Sequence, residues 1–174
     1  TDHFGKDLEI SGDGNTIAIL LIRTNDNHQR RIYKYNNTTY DFDSWITTSS
    51  DIGYEHFQTS LSYDGTVLAY DSKCTGNSIM GGLYISRYDN SGDGNGGTYW
   101  TSEKEFDVTS FDNYVGWTYS LRSFKLSNDG NAIVWTFSQM SDANNAHNDV
   151  FISNYDGSDW SDSEIVFASS AVSG

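Results

Sequence analysis

The chain has 174 residues, 36% of them hydrophobic and 15% aromatic, enough for one domain with a sizeable core. The net charge of −14 repels phosphate backbones, so nucleic acid is excluded as an expected partner. No segment carries the ~18 consecutive apolar residues of a membrane span, and no stretch keeps the apolar spacing of a long amphipathic helix.

In chain order, an alternating stretch at 7–11 leads into Ser11-Gly12-Asp13-Gly14 and then into a nearly pure apolar run at 16–22. Alternation predicts a strand with one wet face. The apolar run predicts a strand covered on both faces. Strands at 31–35 and 45–48 follow, separated by the turn at Asn36-Asn37. The phrase returns as Ser62-Tyr63-Asp64-Gly65, with strands expected at 58–62, 66–70, 82–88 and 99–106. It returns again as Ser127-Asn128-Asp129-Gly130, with strands expected at 123–127, 131–138, 150–155 and 160–167. Each third strand ends in a tyrosine (Tyr35, Tyr88, Tyr155), and each unit holds a following tryptophan (Trp45, Trp100, Trp160). An aromatic insertion, 111–119, precedes the third unit.

Three units, 4–50, 57–110 and 121–169, of four short antiparallel strands each, make the chain one all-β repeat domain over 1–174. A unit of roughly 50 residues with four strands has the size of a β-propeller blade. The expected fold is therefore a β-propeller-type array of three blades. The competing arrangement, a twelve-stranded sandwich, does not require strands in three matched sets of four. Propellers use about four to eight blades, so three imply a fragment of a longer propeller, a ring completed by a second copy, or head-to-tail addition. The chain begins at Thr1, consistent with a processed or partial chain.

The opening Phe4-Gly5-Lys6-Asp7-Leu8-Glu9-Ile10-Ser11-Gly12-Asp13-Gly14 resembles an FG-GAP-type repeat of integrin-α-like propellers. The later segment 150–160, which ends in Trp160, fits the same pattern, and the Ser-x-Asp-Gly turn is also similar to repeats of Tol-type periplasmic propellers. The Phe-Gly pair occurs only in the first unit, and the family's calcium loop is incomplete. The resemblance implies blade architecture and a secreted or cell-surface setting. It implies little about activity, because propellers host unrelated functions.

The Ser-x-Asp-Gly turns themselves read as structure: Ser and Asp satisfy turn amides and Gly takes the left-handed position. The best metal candidate is the loop 89–95, where Asp89, Ser91 and Asp93 offer oxygen at alternate positions, the spacing that wraps Ca²⁺. Its far end lacks a carboxylate unless Glu103 or Glu105 supplies one. Asn36 and Asn37 begin two overlapping N-glycosylation sequons. Trp117 breaks the repeat pattern and is the expected ligand-contact residue, with glycans as the expected ligand class. The repeated tryptophans read as filler between blades. The four histidines are scattered without zinc spacing, and the single Cys74 can form no intramolecular disulfide. No nucleophile elbow or facing carboxylate pair marks a catalytic centre, so no catalytic residue is expected. The sequence therefore points to a non-catalytic, extracellular or cell-surface structural or adhesive module that associates with copies of itself or with neighbouring blades. A carbohydrate-binding propeller is the runner-up, and a sialidase- or glycosidase-type enzyme is the weaker alternative.

Overall fold

A computed structural model describes residues 3–22, 27–49, 58–73, 81–89, 99–106, 118–140 and 146–168. Among them every regular element is a strand. The first sheet holds β1 (His3–Ile10), β2 (Thr16–Ile22), β3 (Asn27–Tyr35) and β4 (Tyr40–Ser49). The second holds β5 (Thr59–Leu61), β6 (Val67–Lys73), β7 (Gly81–Tyr88) and β8 (Trp100–Phe106). The third holds β9 (Thr118–Leu126), β10 (Ala132–Met140), β11 (Ala146–Asn154) and β12 (Glu164–Ala168). Each is an antiparallel meander in chain order, the three matched sets of four that the repeat predicts.

The β1–β2, β5–β6 and β9–β10 turns share one hydrogen-bonded design. Ser11 Oγ donates to Asp13 Oδ1 (2.6 Å) and accepts the Thr16 N–H (2.9 Å). Ser62 and Asp64 repeat this at 2.7 Å, with the Val67 N–H at 3.0 Å. Ser127 and Asp129 repeat it at 2.5 Å, with the Ala132 N–H at 2.9 Å. Gly14, Gly65 and Gly130 take φ of 74°, 68° and 69°, the left-handed region that L side chains avoid. The phrase is thus a turn, as its residue types predict. Desolvation lifts Asp13 and Asp64, but hydrogen bonds from Ser11 and Asn15, and from Ser62 and Thr66, bring both below the usual carboxylate value.

The sheets stack face to face in chain order. Ala18, Ile32 and Ile46 of the first sheet bury against Leu61, Leu68, Tyr70 and Trp100 of the second. The second sheet's opposite face, with Val67, Leu83, Ile85 and Phe106, buries against Phe124, Ile133, Trp135, Phe151 and Trp160. The middle sheet is therefore covered on both faces. The first strands lie side by side: β1 contacts β5 and β5 contacts β9, and the Leu126 N–H donates to Ser60 Oγ at 3.1 Å.

Register corrects the phase of the repeat. Tyr88 pairs with Trp100 and Tyr155 with Trp160, but Tyr35 pairs with Tyr40. The first-unit counterpart of the two tryptophans is therefore Tyr40, and Trp45 pairs further along with Arg31. In consequence β4 begins at Tyr40 rather than at 45. In the third unit, Trp160 sits in an isolated bridge ahead of β12 rather than inside it. The start of β9 takes in Thr118 and Tyr119, the end of the expected aromatic insertion.

Candidate functional site

Chemistry concentrates at the junctions between sheets, and each junction is made from the same parts. The first part joins the turns. The Asp13 N–H donates to the Tyr63 carbonyl (2.9 Å), and the Tyr63 N–H donates to the Asn128 carbonyl (2.7 Å). Each later glycine then closes on the turn before it. A methyl on Gly65 would lie 2.3 Å from Thr16 Oγ1, and one on Gly130 would lie 2.6 Å from Val67 Cγ2.

The second part is aromatic. The residue before each strand-ending tyrosine is Lys34 in the first unit and Arg87 in the second. Lys34 Nζ sits 3.2 Å from the centroid of the Tyr88 ring, in the next unit. Arg87 Cζ sits 4.6 Å from the Tyr155 centroid, again in the next unit. A cation over an aromatic face is attracted by the ring quadrupole. Burial pulls the Lys34 ammonium below its usual value, against the opposing charges of Asp43 and Asp64. Beside each tyrosine the tryptophan reaches back: Trp100 Nε1 donates to Ser44 Oγ and Trp160 Nε1 to Glu103 Oε2, both at 3.1 Å.

The first junction adds a buried ion pair. Arg30 is fully buried, and its Nη2 donates to Asp71 Oδ1 and to the Asp71 carbonyl, both at 2.8 Å. Burial pushes the Asp71 carboxyl up to about 6, although Arg30 and the Gln58 N–H pull it down.

These parts stop at two open ends. On the first sheet, cross-strand pairing puts Ile10, Ile17, Tyr33 and Phe42 in one row and Leu8, Ile19, Arg31 and Trp45 in the next. Neither row faces the second sheet. Leu8 is 62% exposed, and Phe4, Ile10 and Phe42 are also exposed. Gly14 has open space where Gly65 and Gly130 are packed. On the third sheet, Val134 and Phe167 are exposed on the face turned away from the second sheet. Ser127 there is half-buried, whereas Ser11 and Ser62 are buried under the following turn.

The first sheet's open face carries a groove of about 380 Å³ lined by Gln29, Arg31, Tyr33, Phe42 and Trp45. Phe42 and Trp45 stack 5.8 Å apart at 16°, and Tyr33 meets Phe42 edge-on at 5.8 Å.

The site residues expected from sequence fall elsewhere. Asn36 and Asn37 are exposed in the β3–β4 turn. Asn36 Oδ1 accepts the N–H groups of Thr38 and Thr39, both at 3.0 Å, and its Nδ2 donates to Asp41. Asn37 adopts φ 74°. Asp89 opens the β7–β8 connection, and its N–H donates to the Tyr99 carbonyl as Asn36 and Asp156 donate to Thr39 and Asp159. The calcium partners Ser91 and Asp93, and the ligand-contact candidate Trp117, lie outside the described residues. Among the described residues no group of three or more His, Cys, Asp or Glu is placed to hold a metal ion. Of the sequence candidates, the described residues include only Asn36, Asn37 and Asp89. The cation–tyrosine spacing of Lys34-Tyr35 and Arg87-Tyr88 was the readable signal of the real junction.

No protein-family model matches the sequence, and no curated protein matches it. Among solved structures, a chain from a structural and mechanistic study of two prolyl endopeptidases superposes with a TM-score of 0.56 at 13% identity. The match covers 98% of this chain and 23% of that one, so this chain spans under a quarter of the length of the structure it resembles. At that identity the likeness is one of fold alone.

Proposed function

We propose that the chain is a three-blade portion of a β-propeller-type array and that it works as a non-catalytic structural or adhesive module, outside the cell or at its surface, by self-association through its end blades. The observation that carries this reading is the junction made twice from the same parts and left open at both ends. Three-sheet stacking with the first strands side by side supports the blade assignment. The exposed row around Leu8, and the exposed Val134 and Phe167 at the other end, are apolar surface of the kind that marks an interaction site. The FG-GAP resemblance supports the extracellular setting.

Native mass and electron microscopy test it. Rings or filaments are expected, and Leu8→Glu, a change at an exposed position, is expected to reduce them to single chains with an unchanged melting temperature. A wild-type protein that remains a single chain at high concentration overturns self-association.

The groove at Trp45 favours a second reading, a glycan-binding face. Stacked Phe42 and Trp45 offer flat apolar surface to a sugar ring, and Arg31 and Gln29 offer donors beside it. Glycan-array binding by the wild type that is lost in Trp45→Ala, with association unaffected, would support this reading. Absence of binding across the array would remove it.

A further inference from the structure

The aromatic part of the junction occurs three times in the fold and is filled twice. The Tyr88–Trp100 pair, with ring centroids 5.5 Å apart, receives Lys34 on the Tyr88 ring. The Tyr155–Trp160 pair, also at 5.5 Å, receives Arg87 on the Tyr155 ring. In both, the cation is the residue before the final tyrosine of the preceding sheet's third strand. The third copy is Tyr35–Tyr40, with centroids 5.2 Å apart and 45° between planes. It lies on the open face of the first sheet, with Tyr35 42% and Tyr40 37% exposed, whereas Trp100 and Trp160 are buried.

We propose that Tyr35 and Tyr40 form a cradle for a lysine or arginine side chain, presented from the end of the third strand of a further four-stranded sheet that docks on the open face of the first. The inference rests on the reading that the end sheets dock others, and it adds the chemistry of the partner. Continuity with the two internal junctions argues for the occupant: the same strand end, the same residue position and a cross-strand aromatic pair at the same place, with Tyr40 where the other two have a tryptophan. The partner's cation would also meet an acidic protein, with net charge −14.

The chain's own third sheet does not meet this requirement. Its residue at the cation position, before Tyr155, is Asn154. A second copy adding head to tail would therefore bring an amide where the two internal junctions bring a charge. The favoured partner is a sheet with a basic residue at that position.

The test supplies the missing charge. Asn154 is exposed, and its backbone N–H and carbonyl bond to Ser161, so a change of side chain leaves those bonds in place. Association of Asn154→Lys is compared with wild type and with the neutral Asn154→Gln by sedimentation, and by following the Tyr35 ring resonances up to millimolar protein. A cation–π contact corresponds to roughly three- to thirtyfold in affinity. Asn154→Lys is expected to associate more tightly by that factor and to shift the Tyr35 ring signals, Asn154→Gln to match wild type, and Tyr35→Ala in the lysine background to cancel the gain. Lysine and glutamine variants that behave alike, with unmoved Tyr35 resonances, overturn the cradle. A wild type that stays single while the lysine variant associates keeps the cradle and removes unaided self-association. A wild type that assembles but is not tightened by lysine does the reverse.

Discussion

Gly65→Ala is expected to cost ~3–5 kcal/mol of folding stability, while the same substitution at Gly14 costs ~1 kcal/mol. Both glycines occupy the same place in the same turn, at φ 68° and 74°. The conformational penalty for an L side chain in the left-handed region is therefore common to both. The difference lies in what surrounds them. The new methyl at Gly65 would sit 2.3 Å from Thr16 Oγ1 and 2.4 Å from its Cβ, in a buried site bounded by Ser11. Thr16 is a strand residue whose N–H is tied to Ser11 Oγ, so it cannot retreat without breaking the turn before it. At Gly14 nothing lies within 4 Å.

Gly130→Ala is expected to fall with Gly65, because its methyl would meet Val67 at 2.6 Å and 2.9 Å. Urea unfolding of the three alanine variants measures the contrast. Against a typical domain stability of about 5–15 kcal/mol, the Gly65 loss removes a large share of the whole. Equal losses at Gly14 and Gly65 would mean that backbone strain alone sets the cost and that the turn-to-turn packing contributes nothing. If the open end is covered in an assembled state, Gly14→Ala should also weaken assembly, although it barely affects the single chain.

The fold was legible because its determinants are local. Thr16–Ile22 reads as a strand from its apolar run, although only one of its faces is covered by the second sheet and Ile17 and Ile19 lie half-buried on the open face, and the Ser-x-Asp-Gly turns announce where each second strand begins. The phase of the fourth strand was not legible. Tryptophan is conspicuous, so Trp45 draws the eye as the counterpart of Trp100 and Trp160, and the longer stretch from Asp89 to Tyr99 hides the spacing that would have corrected it. Tyr35 to Tyr40 and Tyr155 to Trp160 span equal turns, and only strand pairing makes that decisive. Arg30 was illegible for another reason. It stands in the middle of a strand with Arg31 beside it, and a charged pair there reads as solvent-facing. Its partner Asp71 is remote in sequence and arrives only when two sheets stack. The junction as a whole is a relation between units, so a reading within each unit finds the tyrosine and the cation but not that one belongs to the next sheet's ring.

Arg30→Met is expected to destabilise the protein by ~3–5 kcal/mol at pH 7.5, and by clearly less at pH 5. In the wild type the guanidinium answers the buried carboxylate of Asp71 and also lies 4.8 Å from the Tyr70 centroid. Methionine fills similar volume but leaves the Asp71 charge buried without a counter-ion. The sign of the pH dependence follows from Asp71. Burial holds its folded-state pKa at about 6, above the usual 3.8, with the Asp7 carboxylate pushing the same way and Arg30 opposing. A carboxyl raised on folding contributes stability fully below about pH 4 and loses it as pH rises through about 6, a span worth at most ~3 kcal/mol. Removing Arg30 removes the main opposing influence, so Asp71 is protonated more readily in the variant. The variant therefore recovers on acidification more than the wild type does. The turn aspartates Asp13 and Asp64 act in the opposite direction, but only as pH falls below the usual carboxylate value, outside this window. General repulsion at net charge −14 relaxes on acidification in both proteins and largely cancels in the difference. Urea unfolding of the two proteins at pH 7.5 and pH 5 gives that difference directly. A deficit that does not shrink at pH 5 would mean that Arg30 acts through packing on Tyr70 and its bonds to backbone carbonyls, and that the Asp71 charge is not what it holds in place.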